Sequence, residues 1–221
     1  MLDVTQPELS FAVSMMNKAN ALAPRILAGM AVQGLTKSDF SPVTVADYAI
    51  QAVVGKSLKE AFPEDILVAE ENADMLRTPE GAQVLEVVTD FVHKQCEEGT
   101  SEDICTWIDR GTSDTTQRFW TLDPIDGTKG FLRGGQYATA LALIENGKVV
   151  LGALGCPNLG DNCAPDMGIG AVLIAQRGQG TWLSVLNEPF QPISVSDCVD
   201  ASRTRILRSV EARHTDADKV D

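Results

Sequence analysis

Apolar residues recur at three- and four-residue steps through Leu9, Val13, Met16, Ala19, Ala23, Ile26 and Met30. That spacing predicts a helix from Pro7 to Met30 with a single apolar stripe. Pro24 falls inside it, and because its nitrogen cannot bond the Asn20 carbonyl, a kink or break is expected there. Thr36 to Pro42 is loop chemistry closed by a proline. A second helix is expected from Thr44, with Asp47 completing a capping box and Ile50, Val53, Val54, Leu58 and Ala61 turned inward. Pro63-Glu64-Asp65 reads as a turn, and Ile66-Leu67-Val68-Ala69 as a short buried strand ending in Glu70-Glu71. Pro79 to Cys96 is a third helix with Val84, Val87, Val88 and Phe91 on one face. The polar stretch from Cys96 to Gln117 reads as loop, with a short strand around Cys105–Ile108.

From Phe119 the period changes from helical to alternating. Strands are expected at Phe119–Leu122, at Tyr137–Ile144 and at Val149–Gly155, the last two joined by Asn146-Gly147, a strong short hairpin signal. A second hairpin joins Ala171–Ala175 to Thr181–Val185 through Gly178-Gln179-Gly180, and further strands are expected at Pro192–Val195 and Thr204–Ser209. Thr215-Asp216-Ala217-Asp218 has the pattern of a helix start. With no repeat and no linker, helices first and antiparallel strands later describe one α+β domain over residues 1–221, an antiparallel sheet packed on helices.

The chain has 221 residues, 44% of them hydrophobic, enough to bury a substantial core. Lys and Arg number 18 against 31 Asp and Glu, a net charge of −13 that argues against nucleic acid or an acidic membrane as partner. No apolar run approaches the roughly 20 residues that span a bilayer. Met1-Leu2-Asp3-Val4 lacks the basic start of a secretory signal, so a cytoplasmic location is expected. Cys96, Cys105, Cys156, Cys163 and Cys198 form no C-x-x-C pair and read as reduced thiols rather than a zinc site.

The candidate chemistry sits in Asp123-Pro124-Ile125-Asp126-Gly127-Thr128, which follows a strand. Two carboxylates three residues apart can converge on one cation, while the N–H groups of Gly127 and Thr128 can face a phosphate oxygen. Alone, the hexapeptide reads equally well as an Asp-Pro turn with a capping aspartate. Glu70-Glu71 alone is a solvated acidic turn, Asp47 alone a capping residue, His214 alone a surface histidine and His93 a surface or packing residue. Taken together, Glu70, Asp123, Asp126 and the Ile125 carbonyl are hard oxygen donors that suit Mg²⁺. Metal ions beside phosphate-binding amides make a site for in-line phosphoryl transfer.

Thr36-Lys37-Ser38-Asp39, Ser41-Pro42-Val43-Thr44, Asp47, Val68-Ala69-Glu70-Glu71 and the run Trp120 to Arg133 together resemble the 3′(2′),5′-bisphosphate nucleotidases. These belong to the lithium-sensitive, Mg²⁺-dependent inositol-monophosphatase-like superfamily of phosphatases. The Gly155-Cys156-Pro157-Asn158 turn is also similar. Lys129-Gly130-Phe131 favours the nucleotidase branch, since inositol phosphatases read Thr-Asn-Phe there. The resemblance implies a phosphatase that removes the 3′-phosphate of adenosine 3′,5′-bisphosphate, and of its 5′-phosphosulfate relative, using Mg²⁺ and a metal-activated water. Its place would be the clearance of a by-product of sulfate assimilation. It implies that Glu70, Asp123, Asp126 and the Ile125 carbonyl hold the metal, and that Asp47 with Thr128 orients and deprotonates the attacking water. Gly127 and Thr128 would hold the scissile phosphate and His214 would contact the nucleotide. Family members carry a second α/β domain with a Trp-Asp-x-Ala-Ala-Gly-like motif, which residues 129–221 lack. The chain is therefore expected to represent the amino-terminal part of the fold, with an apolar exposed face where the second domain would pack. Two other readings stand beside this one: an inactive remnant that binds metal or nucleotide, and an inositol monophosphatase.

Overall fold

The computed structural model describes residues 2–33, 41–96, 99–160, 170–185 and 188–204. The expected loop before Pro42, the strand beyond Thr204 and the helix start at Thr215 fall wholly or mainly outside these residues, as do Cys163 and His214.

Helix α1 (Pro7–Gln33) passes through Pro24 without the expected break. The lost hydrogen bond costs roughly 3 kcal/mol. Burial of Leu22, Ala23, Ile26 and Met30 on either side of the proline offsets it, because each side chain is at most 2% exposed. Helix α2 (Pro42–Ala61) starts two residues earlier than its pattern suggests. Ser41, not Thr44, is the N-cap: its hydroxyl accepts from the Val43 N–H at 3.2 Å, and Pro42 fits the first helical position, where no N–H is needed. Asp47 therefore lies inside the helix and has no capping role.

After the turn at Pro63-Glu64 comes β1 (Ile66–Val68), then a 3-10 turn at Met75–Arg77 and α3 (Ala82–Cys96). The stretch expected to be loop with a strand at Cys105–Ile108 is instead helix α4 (Ser101–Asp109). Thr100 and Asp103 form a reciprocal capping box, and Ile104, Cys105 and Ile108 are buried at helical spacing. The remainder is β2 (Arg118–Asp126), α5 (Thr128–Leu132), β3 (Ala138–Glu145), β4 (Lys148–Cys156), β5 (Ala171–Gln176), β6 (Gly180–Val185) and β7 (Gln191–Ile193). The last strand stops short of Val195, which is 90% exposed.

The seven strands pair in chain order. All neighbours are antiparallel except β1 and β2, which run parallel with Ile66 opposite Phe119 and Val68 opposite Thr121. Helices α1 and α2 lie on the sheet, and α3 and α4 pack against α2. Trp120 sits at the centre of this packing, edge-on to Phe11 at 5.0 Å, with its Nε1–H donating to Asp65 at 2.9 Å. Arg118 joins Asp65, Glu145 and Glu8, tying β2 to the turn before β1, to the end of β3 and to the start of α1.

Among the described residues, alternation along the strands leaves the other side of the sheet uncovered. Ala140, Ala142, Gly152, Leu154, Leu173 and Ala175 line a depression there of about 340 Å³. Leu154 at its middle is 40% exposed. A contiguous apolar face of this kind binds hydrophobic dyes. Anilinonaphthalene sulfonate should therefore fluoresce on the native chain. Leu154→Lys should remove most of that signal while moving Tm by no more than about 2 °C, as exposed substitutions do. An undiminished signal in the variant would place the dye elsewhere.

Candidate active site

The parallel pairing of β1 with β2 brings the carboxyl ends of both strands to one rim of the sheet. Ligands of sheet proteins commonly gather at such a rim. Glu70 and Glu71 follow β1 there, and Asp123 and Asp126 close β2. Between Asp123, opposite Ala140, and Asp126, opposite Ala138, β2 carries one residue more than β3, a bulge that re-aims the side chains. Pro124 sits in this bulge, where a missing N–H breaks no ladder, and its carbonyl accepts from the buried Thr139 hydroxyl at 2.7 Å. Ile125 is buried, while Asp126 and Glu70 are exposed and Asp123 is half-buried.

Beyond the bulge the chain turns through Gly127, whose φ of 87° is a left-handed conformation that glycine adopts without strain. A Cβ there would also meet the Tyr137 Cα at 3.3 Å. The turn opens α5, where the Thr128 hydroxyl donates to the Ile125 carbonyl at 3.4 Å. Phe131 anchors α5 edge-on to Tyr137 at 4.9 Å. Asn158, in the turn after β4, fixes the following loop: its Nδ2 donates to the Gly135 carbonyl at 2.5 Å and its own carbonyl accepts from Gln136 Nε2 at 2.6 Å.

Asp47 projects from the early turns of α2 into the field of this rim. Burial, then the charges of Glu71, Asp123 and Glu70, push its carboxyl up to about 8. Burial and the Glu70 charge also raise Glu71, against a hydrogen bond from Tyr48 that favours its ionised form. Burial, Glu70 and Asp126 raise Asp123. Tyr48, 5% exposed, is itself pushed up to about 12, chiefly by burial. Five carboxylates from three separate chain segments therefore act on one another, as they do where a cation-binding site concentrates negative charge.

Among the described residues, no group of three or more His, Cys, Asp or Glu converges closely enough to hold a metal ion by side chains alone. The donors at the rim are all oxygens, with no imidazole or thiolate among them, and that chemistry fits a hard divalent cation. Burial and then neighbouring negative charge raise Asp47, Glu71 and Asp123, and a bound cation would offset the charge part of that effect.

The sequence pattern singled out Asp47, Glu70, Asp123, Ile125, Asp126, Gly127 and Thr128, and the described structure gathers all seven at this rim. His214 lies outside the described residues. Sequence reasoning names Glu71 without a role and misses Tyr48 and Gln51 on α2. Glu71 exerts the largest charge effect on Asp47, Tyr48 and Glu71 shift each other's ionisation, and the buried Gln51 grips the Glu71 backbone at both its N–H and its carbonyl. The signal for Gln51 was its position four residues after Asp47, on the same helical face.

Residues 6–219 match the profile of the inositol monophosphatase family. The chain is 38% identical over 230 residues to a 3′(2′),5′-bisphosphate nucleotidase of Schizosaccharomyces pombe, a match covering 94% of this chain and 65% of that protein. It is 41% identical over 202 residues to 3′(2′),5′-bisphosphate nucleotidase 1 of Arabidopsis thaliana, covering 81% and 57%. The chain thus spans about two thirds, or less, of the length of these curated relatives. Among solved structures it resembles an inositol monophosphatase from Anabaena (Nostoc) sp. PCC 7120 with a TM-score of 0.53 at 19% identity, covering 88% of this chain and 51% of that one. That likeness establishes the fold. No helix among the described residues is long and apolar enough to cross a membrane.

Proposed function

The chain belongs to the inositol monophosphatase family, and from that premise we propose that it is a Mg²⁺-dependent phosphatase acting on adenosine 3′,5′-bisphosphate and its 5′-phosphosulfate relative, releasing the 3′-phosphate. The observation that carries the reading is the carboxylate rim: Glu70, Asp123 and Asp126 at the ends of two parallel strands, in the field of Asp47 on α2. The resemblance to proteins named as 3′(2′),5′-bisphosphate nucleotidases supports a nucleotide rather than an inositol phosphate as the substrate.

Glu70, Asp123, Asp126 and the Ile125 carbonyl would hold the cation, which when bound supplies positive charge against the phosphate dianion and acidifies water. The chain's own residues do the remaining work. Gly127, bare of a side chain, and the Thr128 backbone N–H admit and orient the phosphate at the start of the α5 turn. Asp47, poised near neutrality by its surroundings, accepts the proton of the attacking water as a general base. Thr128 Oγ1, hydrogen-bonded to the Ile125 carbonyl, orients that water. Positioning and charge provide nearly all of the rate acceleration in phosphoryl transfer, so rigid placement of these groups matters more than covalent chemistry.

The test is phosphate release by the purified chain from adenosine 3′,5′-bisphosphate, run beside inositol 1-phosphate with and without Mg²⁺ and Li⁺. Metal-dependent, lithium-sensitive turnover with a kcat/KM at least about tenfold higher for the nucleotide is expected. A preference for inositol 1-phosphate would move the chain to the inositol phosphatases. Turnover of neither substrate would remove the enzymatic reading.

A further inference from the structure

Gln51 is completely buried, yet it carries a polar amide. All of its main hydrogen-bonding capacity is directed at two backbone segments away from its own helix. Its Nε2 donates to the Glu71 carbonyl at 2.6 Å and to the Ile108 carbonyl at 2.7 Å, while its Oε1 accepts from the Glu71 N–H at 3.1 Å. One side chain therefore holds both backbone groups of Glu71, which fixes the two peptide units that flank its Cα in orientation as well as position. Gly111 makes room for it: a Cβ at that position would lie 2.4 Å from Gln51 Nε2 and 2.9 Å from the Ala69 Cβ. The Ala69 N–H donates to the Gly111 carbonyl at 2.8 Å, so the corner after β1, the turn after α4 and helix α2 all meet around this amide.

Asp47 lies one helical turn before Gln51 on the same face of α2, with about 5–6 Å between Cβ atoms at such spacing. Tyr48, on the same turn, lies close enough to Glu71 for each to shift the other's ionisation. Repulsion among Asp47, Glu70 and Glu71 pushes the corner away from α2, and the Gln51 grip opposes that push.

We propose that Gln51 is a positioning residue that holds the Glu70–Glu71 corner against α2 and so sets the geometry of the cation site. The inference rests on the functional reading above for what that cation does, though not for whether one binds. A merely structural amide would cost stability when lost, with no selective effect on cation binding. A positioning amide acts on the cation even when the fold survives, and residues that orient metal ligands typically alter affinity by about 10–100-fold.

Terbium(III), a hard oxygen-seeking ion read by its luminescence, provides a probe that needs no turnover. Gln51→Met keeps the volume and removes the three hydrogen bonds. Gly111→Ala displaces the amide from the opposite side and provides the reading should Gln51→Met fail to fold. Leu58→Ala, further along α2 at a fully buried position, is the control for general destabilisation. Both test variants are expected to bind terbium at least about tenfold more weakly, while Leu58→Ala binds as the parent chain does despite a comparable or larger loss of Tm. In phosphate release, kcat should fall by more than KM rises. Terbium affinity in Gln51→Met and Gly111→Ala equal to that of Leu58→Ala would overturn the proposal, as would a parent chain that takes no terbium. A parent chain that binds terbium but releases no phosphate would remove the enzymatic reading and leave the positioning role to be decided by the titration.

Discussion

Asp123→Asn is expected to lower kcat/KM for phosphate release from adenosine 3′,5′-bisphosphate by at least about 10³, with no loss of thermal stability. The two halves of that expectation come from the same place in the structure. Asp123 ends the regular pairing of β2 at the bulge, half-buried, with burial first and then Glu70 and Asp126 raising its carboxyl. An amide of the same shape keeps the local packing and leaves the backbone pairing of β2 with β3 undisturbed. It removes one negative charge from a crowded rim, which lowers repulsion and should leave Tm unchanged or higher. It also removes an anionic oxygen from the set proposed to hold the cation, and a phosphoryl-transfer site depends on that charge. Steady-state assays and thermal melts on the same preparation check both halves. A variant that retains activity within tenfold of the parent would show that Asp123 is not part of the catalytic site. A variant that loses activity together with several degrees of Tm would make the effect one of folding.

Much of this architecture was legible locally. Asn146-Gly147 predicted its hairpin because φ values of 50° and 72° are ones that Asn and Gly tolerate. The apolar stripe of α1 was legible, whereas its continuity through Pro24 was not, because the packing that outweighs the proline comes from distant elements. Helix α4 was missed although Thr100 and Asp103 spell a capping box, since nine residues give a weak periodicity and the polar flanks read as loop. Ser41-Pro42 reads as the end of a loop but is the start of a helix, so Asp47 is a capping residue on paper and a half-buried carboxylate inside the helix in the fold. The candidate run at Asp123–Thr128 is visible because its residues are contiguous. The opposition of Asp47 to Glu71 was not, because it depends on parallel pairing of β1 with β2 and on the Gln51 contact across twenty residues of sequence.

The metal-free chain should become less stable as pH rises from about 4 to about 8, and Asp47→Asn should remove most of that slope. In the unfolded chain Asp47 ionises near 3.8, while in the folded chain its carboxyl is pushed up to about 8. Between those values the folded chain keeps a proton that the unfolded chain releases. The unfolded state then binds fewer protons, and stability falls with rising pH. The penalty is absent below the unfolded value, grows through the window and is complete above about 8. Its size is on the order of 3 kcal/mol, after allowance for the partial solvation of the rim and for the charge shared with Glu71. Melts of parent and variant at pH 3.5 and pH 9 read the difference directly: the two should lie close together in acid, below the unfolded value of 3.8, and the variant should be the more stable in base. Saturating Mg²⁺ at pH 9 should restore much of the parent's lost stability, because a cation among Glu70, Asp123 and Asp126 offsets the field that opposes ionisation of Asp47. The stable variant should nonetheless be slower in phosphate release by about 10²–10⁴, the usual contribution of a positioned general base. Parallel pH–stability curves for parent and variant would mean that Asp47 ionises as freely in the fold as out of it. Its assignment as the base would then lose its physical ground.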